Sequence, residues 1–184
     1  MKYEPIIHLR NNASIGHGQP CFLVAEIGNN HQGELGRARD MVRAAAQAGA
    51  QAVKFQKRST ETLLTTKGRL APYNGDAAFG PTYGQHRDAL ELSLEDMAEL
   101  KELAESLGLV FFASIWDMVS LQQMESLDCE LVKVSSADLV NLPMLRAVAE
   151  SGTPVILSTG MSSLAQIDAA VAELQKRHDR IALL

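Results

Sequence analysis

The sequence predicts an α/β protein built from repeated strand–helix units. Short apolar runs of strand length recur along the 184 residues, and segments with helical periodicity separate them. The runs are nearly continuous in Val, Leu and Phe rather than alternating, which is typical of parallel strands buried on both faces. Such units build either a doubly wound open sheet or a (β/α)8 barrel.

Six apolar runs are predicted strands, and five helices are predicted between them. The strands are expected at 21–25, 52–55, 109–113, 131–134 and 154–157, with the start of a sixth at 181–184. The helices are expected at 35–45 (stopped at Gly49), 94–107 (Ser93 to Gly108), about 119–127, 142–151 (ended by Gly152) and 164–174. Serine N-caps, C-terminal glycines and the capping-box spacing of Ser163 and Gln166 define their ends.

Composition excludes several classes of function. The chain has 17 Lys and Arg against 22 Asp and Glu, a net charge of −5, and 46% hydrophobic residues. A mildly acidic chain without a basic run argues against a nucleic-acid or anionic-membrane partner. No apolar run approaches the ~18 residues of a membrane span, and no secretory signal is recognised. The two cysteines form no CxxC pair, so a cytoplasmic protein is expected.

The turn after the first predicted strand does not resemble a nucleotide-binding loop. Residues 26–33 read Glu-Ile-Gly-Asn-Asn-His-Gln-Gly, which lacks the three-glycine pattern of dinucleotide-binding folds. A Walker A motif is also missing from the sequence. The chemistry is therefore sought in the polar residues where the strands end.

Five predicted strands end in charged or hydroxyl side chains. These are Glu26; Lys54 and Gln56; Ser114; Lys133, Ser135 and Ser136; and Ser158 with Thr159. In a βα barrel the carboxyl ends of the strands meet at one face, where active sites are built.

Two lysines lie inside otherwise apolar strands, where an unpaired cation is costly. Lys54 and Lys133 would point two cations into one mouth and form a receptor for a phosphate or a carboxylate. A single strand lysine is more often an edge residue, but two at equivalent positions favour a site. Glu26 is either a structural partner of Lys54 or a catalytic or ligand-contacting group, and Ser158 could merely cap the next helix.

One long connection, residues 57–91, contains several glycines and prolines and no helical stripe. Such a loop is typical of a lid or binding loop, with a disordered insertion as the alternative. Its segment 83–87 offers polar and aromatic groups for a hydroxylated substrate. Residues 1–20 are predicted to be a hairpin-like extension that closes the lower end of the barrel, and residues 21–184 the barrel domain.

Five motifs in order carry a resemblance to a known family. They are AEIGNNHQG at 25–33, VKFQ at 53–56, YGQHR at 83–87, KVSSAD at 133–138 followed by NLP at 141–143, and LSTGMS at 157–162. Together they resemble the N-acetylneuraminate (sialic acid) synthases, a family that includes legionaminate, pseudaminate and spore-coat polysaccharide synthases. The similarity extends from about residue 6 to the end of the chain.

The resemblance implies a (β/α)8 barrel that condenses phosphoenolpyruvate with an N-acetylated hexose, such as N-acetylmannosamine. The products would be a nine-carbon 2-keto acid and phosphate, with a divalent metal, typically Mn²⁺, as cofactor. It implies that Lys54, Lys133, Ser136 and Ser158 bind phosphoenolpyruvate and that Gln56 and Asp138 contact the sugar. Glu26, Lys54 and Lys133 would be the catalytic groups. A homodimer is expected for the full-length protein.

Length and one motif depart from the family pattern. A complete barrel takes about 250 residues, so we expect about five to six βα units of an N-terminal portion here. The remaining strands, the metal ligands and the antifreeze-like domain of the family are expected beyond Leu184, and no metal ligand is assigned within the chain. Residues 112–117 read FASIWD, where the family more often has a Ser-Thr-Pro-Phe-Asp type sequence.

Two alternatives to this function remain open. One is a different phosphoenolpyruvate or phosphosugar lyase on a βα barrel. The other is a non-catalytic fragment, or one half of a split enzyme, that binds a phosphorylated ligand. An unpaired apolar sheet edge would then favour association with a partner.

Overall fold

A computed structural model describes residues 6–184, and within them the chain alternates strands and helices. The strands are β1 (Ile7–His8), β2 (Ser14–Ile15), β3 (Val24–Gly28), β4 (Ala52–Lys57), β5 (Val110–Ile115), β6 (Val132–Val134), β7 (Val155–Leu157) and β8 (Ile181–Leu183). The helices are α1 (Leu35–Gln47), α2 (Thr60–Leu63), α3 (Thr66–Leu70), α4 (Tyr83–Asp88), α5 (Leu94–Ser106), α6 (Met118–Ser126), α7 (Leu142–Ser151) and α8 (Leu164–Leu174). All six strands and all five helices predicted from the sequence are present, but the first predicted strand, 21–25, lies about three residues later, at Val24–Gly28.

The order of the strands distinguishes the two architectures that the sequence left open. β3 to β8 form one parallel sheet in which every strand pairs with the next strand along the chain. A doubly wound sheet would reverse its strand order at a switch point, whereas a barrel adds strands in one direction only. The six strands therefore follow the barrel order, and the predicted βα-barrel architecture is confirmed.

Alternate residues of each strand enter two different hydrophobic clusters. Phe111 packs in the cluster between the sheet and the helices, whereas Phe112 packs on the opposite, inner face of the sheet. In β4, Val53 and Ala52 divide in the same way. Since side chains alternate across a strand, the inner face also receives Lys54, two residues after Ala52.

The N-terminal segment packs against the inner cluster. β1 and β2 form an antiparallel pair in which Ile7 lies opposite Ile15. Ile7 and Leu9 are buried among the first residues of the central strands, including Ala52 and Val110. The hairpin therefore covers the amino ends of the strands, opposite their polar carboxyl ends. Residues 1–5 of the predicted extension lie outside the described residues, and the division at residue 20 remains a prediction.

Local sequence signals set the ends of the helices. Ser93 and Asp96 form a capping box at the start of α5, and Ser163 with Gln166 forms another at α8. Gly152 follows α7 with φ = 72°, a left-handed conformation that glycine adopts without steric cost. Each N-cap is worth about 1 kcal/mol, so these ends help to fix where each strand–helix unit turns.

The long connection contains helices that periodicity did not predict. α2, α3 and α4 lie between residues 60 and 88, and each is at most six residues long. An aromatic cluster around the buried His86 stabilises this segment: the ring of His86 lies 4.3 Å from that of Tyr73 and 5.8 Å from that of Phe79. Because such short helices need no continuous apolar stripe, their sequence lacks the pattern that reveals longer helices.

None of the helices in residues 6–184 is both long enough and apolar enough to span a membrane.

Candidate active site

Strand register brings the polar strand ends together on the inner face. Glu26 of β3 lies opposite Lys54 of β4, and Gln56 lies opposite Ser114 of β5. Ser114 in turn lies opposite Lys133 of β6. Four adjacent strands therefore place a carboxylate, two ammonium groups, an amide and a hydroxyl at the carboxyl edge of the sheet, in two neighbouring rows of the register.

Both lysines face inward. Lys54 pairs in register with Phe112, and Lys133 with Ile156, and both of these apolar residues belong to the inner cluster. Each lysine is only 8% exposed. A cation buried to that extent requires a hydrogen-bonded or oppositely charged partner, or a changed protonation state. The two lysines differ in which of these they have.

Lys54 is neutralised by a carboxylate. Its Nζ lies 2.5 Å from Glu26 Oε2 and donates a hydrogen bond to Ser114 Oγ at 2.9 Å. The Glu26 side chain is about half exposed, so a ligand that enters the site can reach it. The sequence left open whether Glu26 pairs with Lys54; the structure shows that it does, while leaving an accessible carboxylate at the site.

Lys133 has neutral partners. Its Nζ donates to Ser158 Oγ at 2.5 Å and to the Val134 carbonyl oxygen at 2.9 Å. The pKa of Lys133 is lowered to about 8, chiefly because burial disfavours the charged form; the charge of Lys54 acts in the same direction, and Glu26 partly opposes both effects. Among the described residues, no carboxylate lies within ion-pair distance of Lys133, so an incoming anion would supply the missing charge.

A pocket of about 330 Å³ joins these groups. Its polar lining consists of Glu26, Lys54, Lys133 and Ser158. The rest of the lining is apolar or terminal: Val24, Phe112, Ile156 and Leu184. Two ammonium groups and one carboxylate give the lining a net positive charge when both lysines are protonated. The pocket therefore has the size and the charge for a small anion.

Three of the predicted substrate-binding residues lie outside this pocket lining. Gln56 is held by Arg58, which donates to its Oε1. Asp138 ends a short 3₁₀ turn, Ser136–Asp138, and accepts a hydrogen bond from Ser135 Oγ at 3.1 Å. Ser136 lies beside Gly160, where an added Cβ would be 3.5 Å from its Oγ. Gln56 lies near the carboxyl end of β4, and Ser136 and Asp138 follow β6, so all three lie at the carboxyl edge of the sheet.

Ser114 is a site residue whose importance the sequence did not reveal. The sequence identifies Ser114 as a hydroxyl at a strand end but does not predict that it binds substrate or acts in catalysis. The register places Ser114 opposite Gln56 and Lys133, and its Oγ accepts a hydrogen bond from Lys54 Nζ. Only the pairing of β4, β5 and β6 could have shown this position.

The resemblance implies a divalent metal, which requires a set of converging ligand side chains. Within residues 6–184, no three His, Cys, Asp or Glu side chains converge in a way that could hold a metal ion. His31 and His86, both buried, are engaged elsewhere: His31 Nδ1 accepts from the Gly33 amide, and His86 packs in the aromatic cluster. The described residues thus do not fit a metal centre by themselves.

Comparison with protein-family models identifies the family of the chain. The model of the NeuB family matches residues 41–184. The chain belongs to the NeuB family. The matched range contains Lys54, Lys133 and Ser158, and Glu26 precedes it.

Several relatives of this NeuB family member are named as synthases of N-acetylneuraminate 9-phosphate, of N,N'-diacetyllegionaminic acid or of pseudaminic acid. It is 39% identical to human N-acetylneuraminate-9-phosphate synthase, over 82% of this chain and 42% of that protein. It is 38% identical to the N,N'-diacetyllegionaminic acid synthase of Legionella pneumophila, over 85% of this chain and 44% of that protein. The chain therefore spans less than half the length of these curated relatives.

Solved structures agree with the fold of this NeuB family member. The N-acetylneuraminic acid synthetase of Leptospira borgpetersenii, crystallised with citrate, superposes with a TM-score of 0.83 at 31% identity. The superposition covers 100% of this chain and 60% of that one. A truncated 3-deoxy-D-arabino-heptulosonate 7-phosphate synthase from Thermotoga maritima superposes with a TM-score of 0.66 at 14% identity, over 98% of this chain and 55% of that one, a likeness of fold alone.

Proposed function

We propose that the protein is a nonulosonate synthase that condenses phosphoenolpyruvate with an N-acetylated hexose such as N-acetylmannosamine. The observation that carries the proposal is the pair of buried lysines, Lys54 and Lys133, in one pocket at the carboxyl ends of barrel strands. Phosphoenolpyruvate carries up to three negative charges, so a pocket with two ammonium groups and few carboxylates suits it. The names of the relatives support the same class of reaction.

Each residue has a role in this proposal. Lys54, Lys133, Ser136 and Ser158 hold the phosphate and carboxylate of phosphoenolpyruvate. Gln56 and Asp138 contact the hydroxyl and amide groups of the sugar. Glu26, accessible beside Lys54, is the catalytic carboxylate.

The reaction forms one carbon–carbon bond and breaks one carbon–oxygen bond. The methylene carbon of phosphoenolpyruvate attacks the aldehyde carbon of the sugar, and the aldehyde oxygen takes up a proton. Positive charge then develops at the former enol carbon, where the carboxylate of Glu26 stabilises it. Water adds to that carbon with loss of one proton, and the new hydroxyl loses the second proton as inorganic phosphate leaves with its bonding electrons, which gives the 2-keto acid. Lys133 and Lys54 stabilise the departing phosphate.

A divalent cation such as Mn²⁺, if bound, would polarise the aldehyde as a Lewis acid. Residues 6–184 bring together no set of metal ligands, so the roles of Glu26, Lys54 and Lys133 do not depend on the cation. The homodimer and the cytoplasmic location also remain predictions. Equilibrium sedimentation and cell fractionation test them.

Phosphate release by the full-length protein tests the proposal. Release that requires both phosphoenolpyruvate and an N-acetylated hexose is expected, and its response to Mn²⁺ tests the cofactor. Release without any sugar would instead indicate a different phosphoenolpyruvate lyase. Binding of phosphoenolpyruvate without release, for every sugar offered, would indicate the non-catalytic alternative.

A further inference from the structure

Gln56 has a buried arginine as its neighbour. Gln56 is half-buried near the end of β4, and Arg58 follows it two residues later at only 5% exposure. Arg58 Nη2 donates a hydrogen bond to Gln56 Oε1. A guanidinium is rarely buried this far unless several groups hold it.

Three groups hold Arg58 in place. Its Nε lies 2.8 Å from Glu91 Oε1, and its backbone amide donates to Glu91 Oε2 at 3.2 Å. Its guanidinium carbon lies 5.3 Å from the ring centroid of Trp116, within the range of a cation–π contact. Glu91 is itself buried, so the pair is enclosed on both sides. Arg58 therefore has one fixed position.

This fixed arginine determines which end of the Gln56 amide faces the site. A guanidinium has donors only, so the Gln56 atom in contact with it must be the carbonyl oxygen. The amide nitrogen is then turned the other way. A Cβ placed on Gly28 would lie 3.5 Å from Gln56 Nε2 and 3.1 Å from Glu26 Oε1, which places the amide nitrogen on the same side as the catalytic carboxylate.

We propose that Arg58 is a positioning residue that fixes the amide of Gln56, so that Gln56 offers N–H donors to the sugar. The inference rests on the proposed function, in which Gln56 contacts the N-acetylated hexose. It adds a specificity rule: the sugar atom opposite Gln56 is a hydrogen-bond acceptor, such as a hydroxyl or carbonyl oxygen. A sugar that presents only a donor at this point would be rejected, because two donors would face each other.

Two substitutions of Gln56 distinguish whether the amide nitrogen or the amide oxygen of its side chain faces the site. Gln56→Glu keeps an oxygen toward Arg58 but has no N–H donor, so we expect its KM for N-acetylmannosamine to rise at least about tenfold. Gln56→Met should raise it similarly. If Gln56→Glu instead retains the KM of the wild type while Gln56→Met does not, the site uses the Gln56 oxygen and the proposal is overturned.

Arg58→Lys tests the positioning role. Lysine keeps the positive charge beside Glu91 but lacks the planar fork that holds the Gln56 oxygen. We expect the KM for the sugar to rise several-fold while the KM for phosphoenolpyruvate stays within about twofold. Arg39→Lys, at an exposed ion pair with Glu99, is the matched control. A lower melting temperature with both KM values unchanged would reduce Arg58 to a structural role and overturn the proposal.

A readout without turnover separates this inference from the proposed function. The ¹H–¹⁵N signals of the Gln56 side-chain amide are assigned by their loss in Gln56→Met. They should shift in Arg58→Lys and stay in place in Arg39→Lys. If the wild type releases no phosphate with any sugar, the proposed function fails, and a shift in Arg58→Lys still supports the Arg58–Gln56 contact. Unchanged signals in Arg58→Lys would overturn that contact whatever the activity.

Discussion

The Nζ atom of Lys54 lies 2.5 Å from Glu26 Oε2, across the first two strands of the sheet. Glu26 thus neutralises Lys54, one of the two cations in the pocket, before any ligand binds. An anionic ligand must compete with Glu26 for Lys54, whereas Lys133 has only neutral partners. The two lysines therefore have different energetic roles, although both face the inner side of the sheet.

Removal of the carboxylate should tighten binding of phosphoenolpyruvate and slow turnover. Glu26→Gln frees the charge of Lys54 for the ligand, so we expect several-fold tighter binding by calorimetry. The kcat should fall at least about 100-fold, because one positioned carboxylate at a charged centre typically contributes that much. Glu34→Gln, at an exposed ion pair on the surface, is the control. Weaker phosphoenolpyruvate binding in Glu26→Gln would contradict this competition.

Lys133 should be essential for phosphate release. Lys133→Met removes the cation that has no carboxylate partner, and we expect most phosphoenolpyruvate-dependent release to be lost. Lys101→Met is the matched control, because Lys101 is a partly buried lysine that pairs with Glu105 at i,i+4 and does not line the pocket. Near-normal turnover of Lys133→Met in a phosphate-release assay would remove Lys133 from the site.

Lys54 should contribute more to the binding of phosphoenolpyruvate than to the binding of the sugar. Lys54→Met leaves Glu26 without its partner and removes one charge from the anion pocket. We expect the KM for phosphoenolpyruvate to rise more than that for the sugar, as measured with each substrate varied in turn. The reverse pattern would place Lys54 in the sugar-binding part of the site.

The depressed pKa of Lys133 predicts a dependence on pH. The pKa is about 8 in the folded protein against an ordinary value of 10.5, because burial disfavours the charged form. Between these values the unfolded chain binds more protons, so Lys133 makes the free energy of unfolding rise from pH 8 to 10.5. The same contribution is lost as the pH falls through 8. Urea unfolding of wild type and Lys133→Met across this range should show the difference.

Binding of an anion should reverse this pKa shift. A phosphate beside Lys133 favours the ammonium form, so phosphoenolpyruvate binding near pH 8 should take up a fraction of a proton. Calorimetry in buffers of different ionisation enthalpy measures that uptake, which should disappear in Lys133→Met. Proton uptake of the same size in both proteins would assign the titration to another group.

The strands and long helices could be predicted because each has its own local signal. The apolar run at β5 and the capping box of Ser163 and Gln166 need no knowledge of distant residues. The contact of Lys54 with Glu26 could be raised as a possibility only, since it depends on the register of two strands whose paired residues are 28 apart in sequence. A sequence pattern does not encode that register directly.

Other parts of the site depend on tertiary contacts that leave little local trace. Arg58 is an ordinary polar residue in the sequence, yet Glu91 and Trp116, from distant segments, hold it against Gln56. The short helix α4 is stabilised by the packing of His86 rather than by an apolar stripe. Sequence reasoning therefore located the strand-end residues but missed the groups that orient them.

The most direct test of the central claim is a calorimetric titration of phosphoenolpyruvate into the full-length protein and into its Lys54→Met/Lys133→Met double variant. Circular dichroism of both proteins verifies that the double variant is folded. If the two lysines form the anion pocket, the wild type binds phosphoenolpyruvate and the folded double variant binds it at least about 100-fold more weakly. Equal affinity in the two proteins would place phosphoenolpyruvate elsewhere and contradict the account.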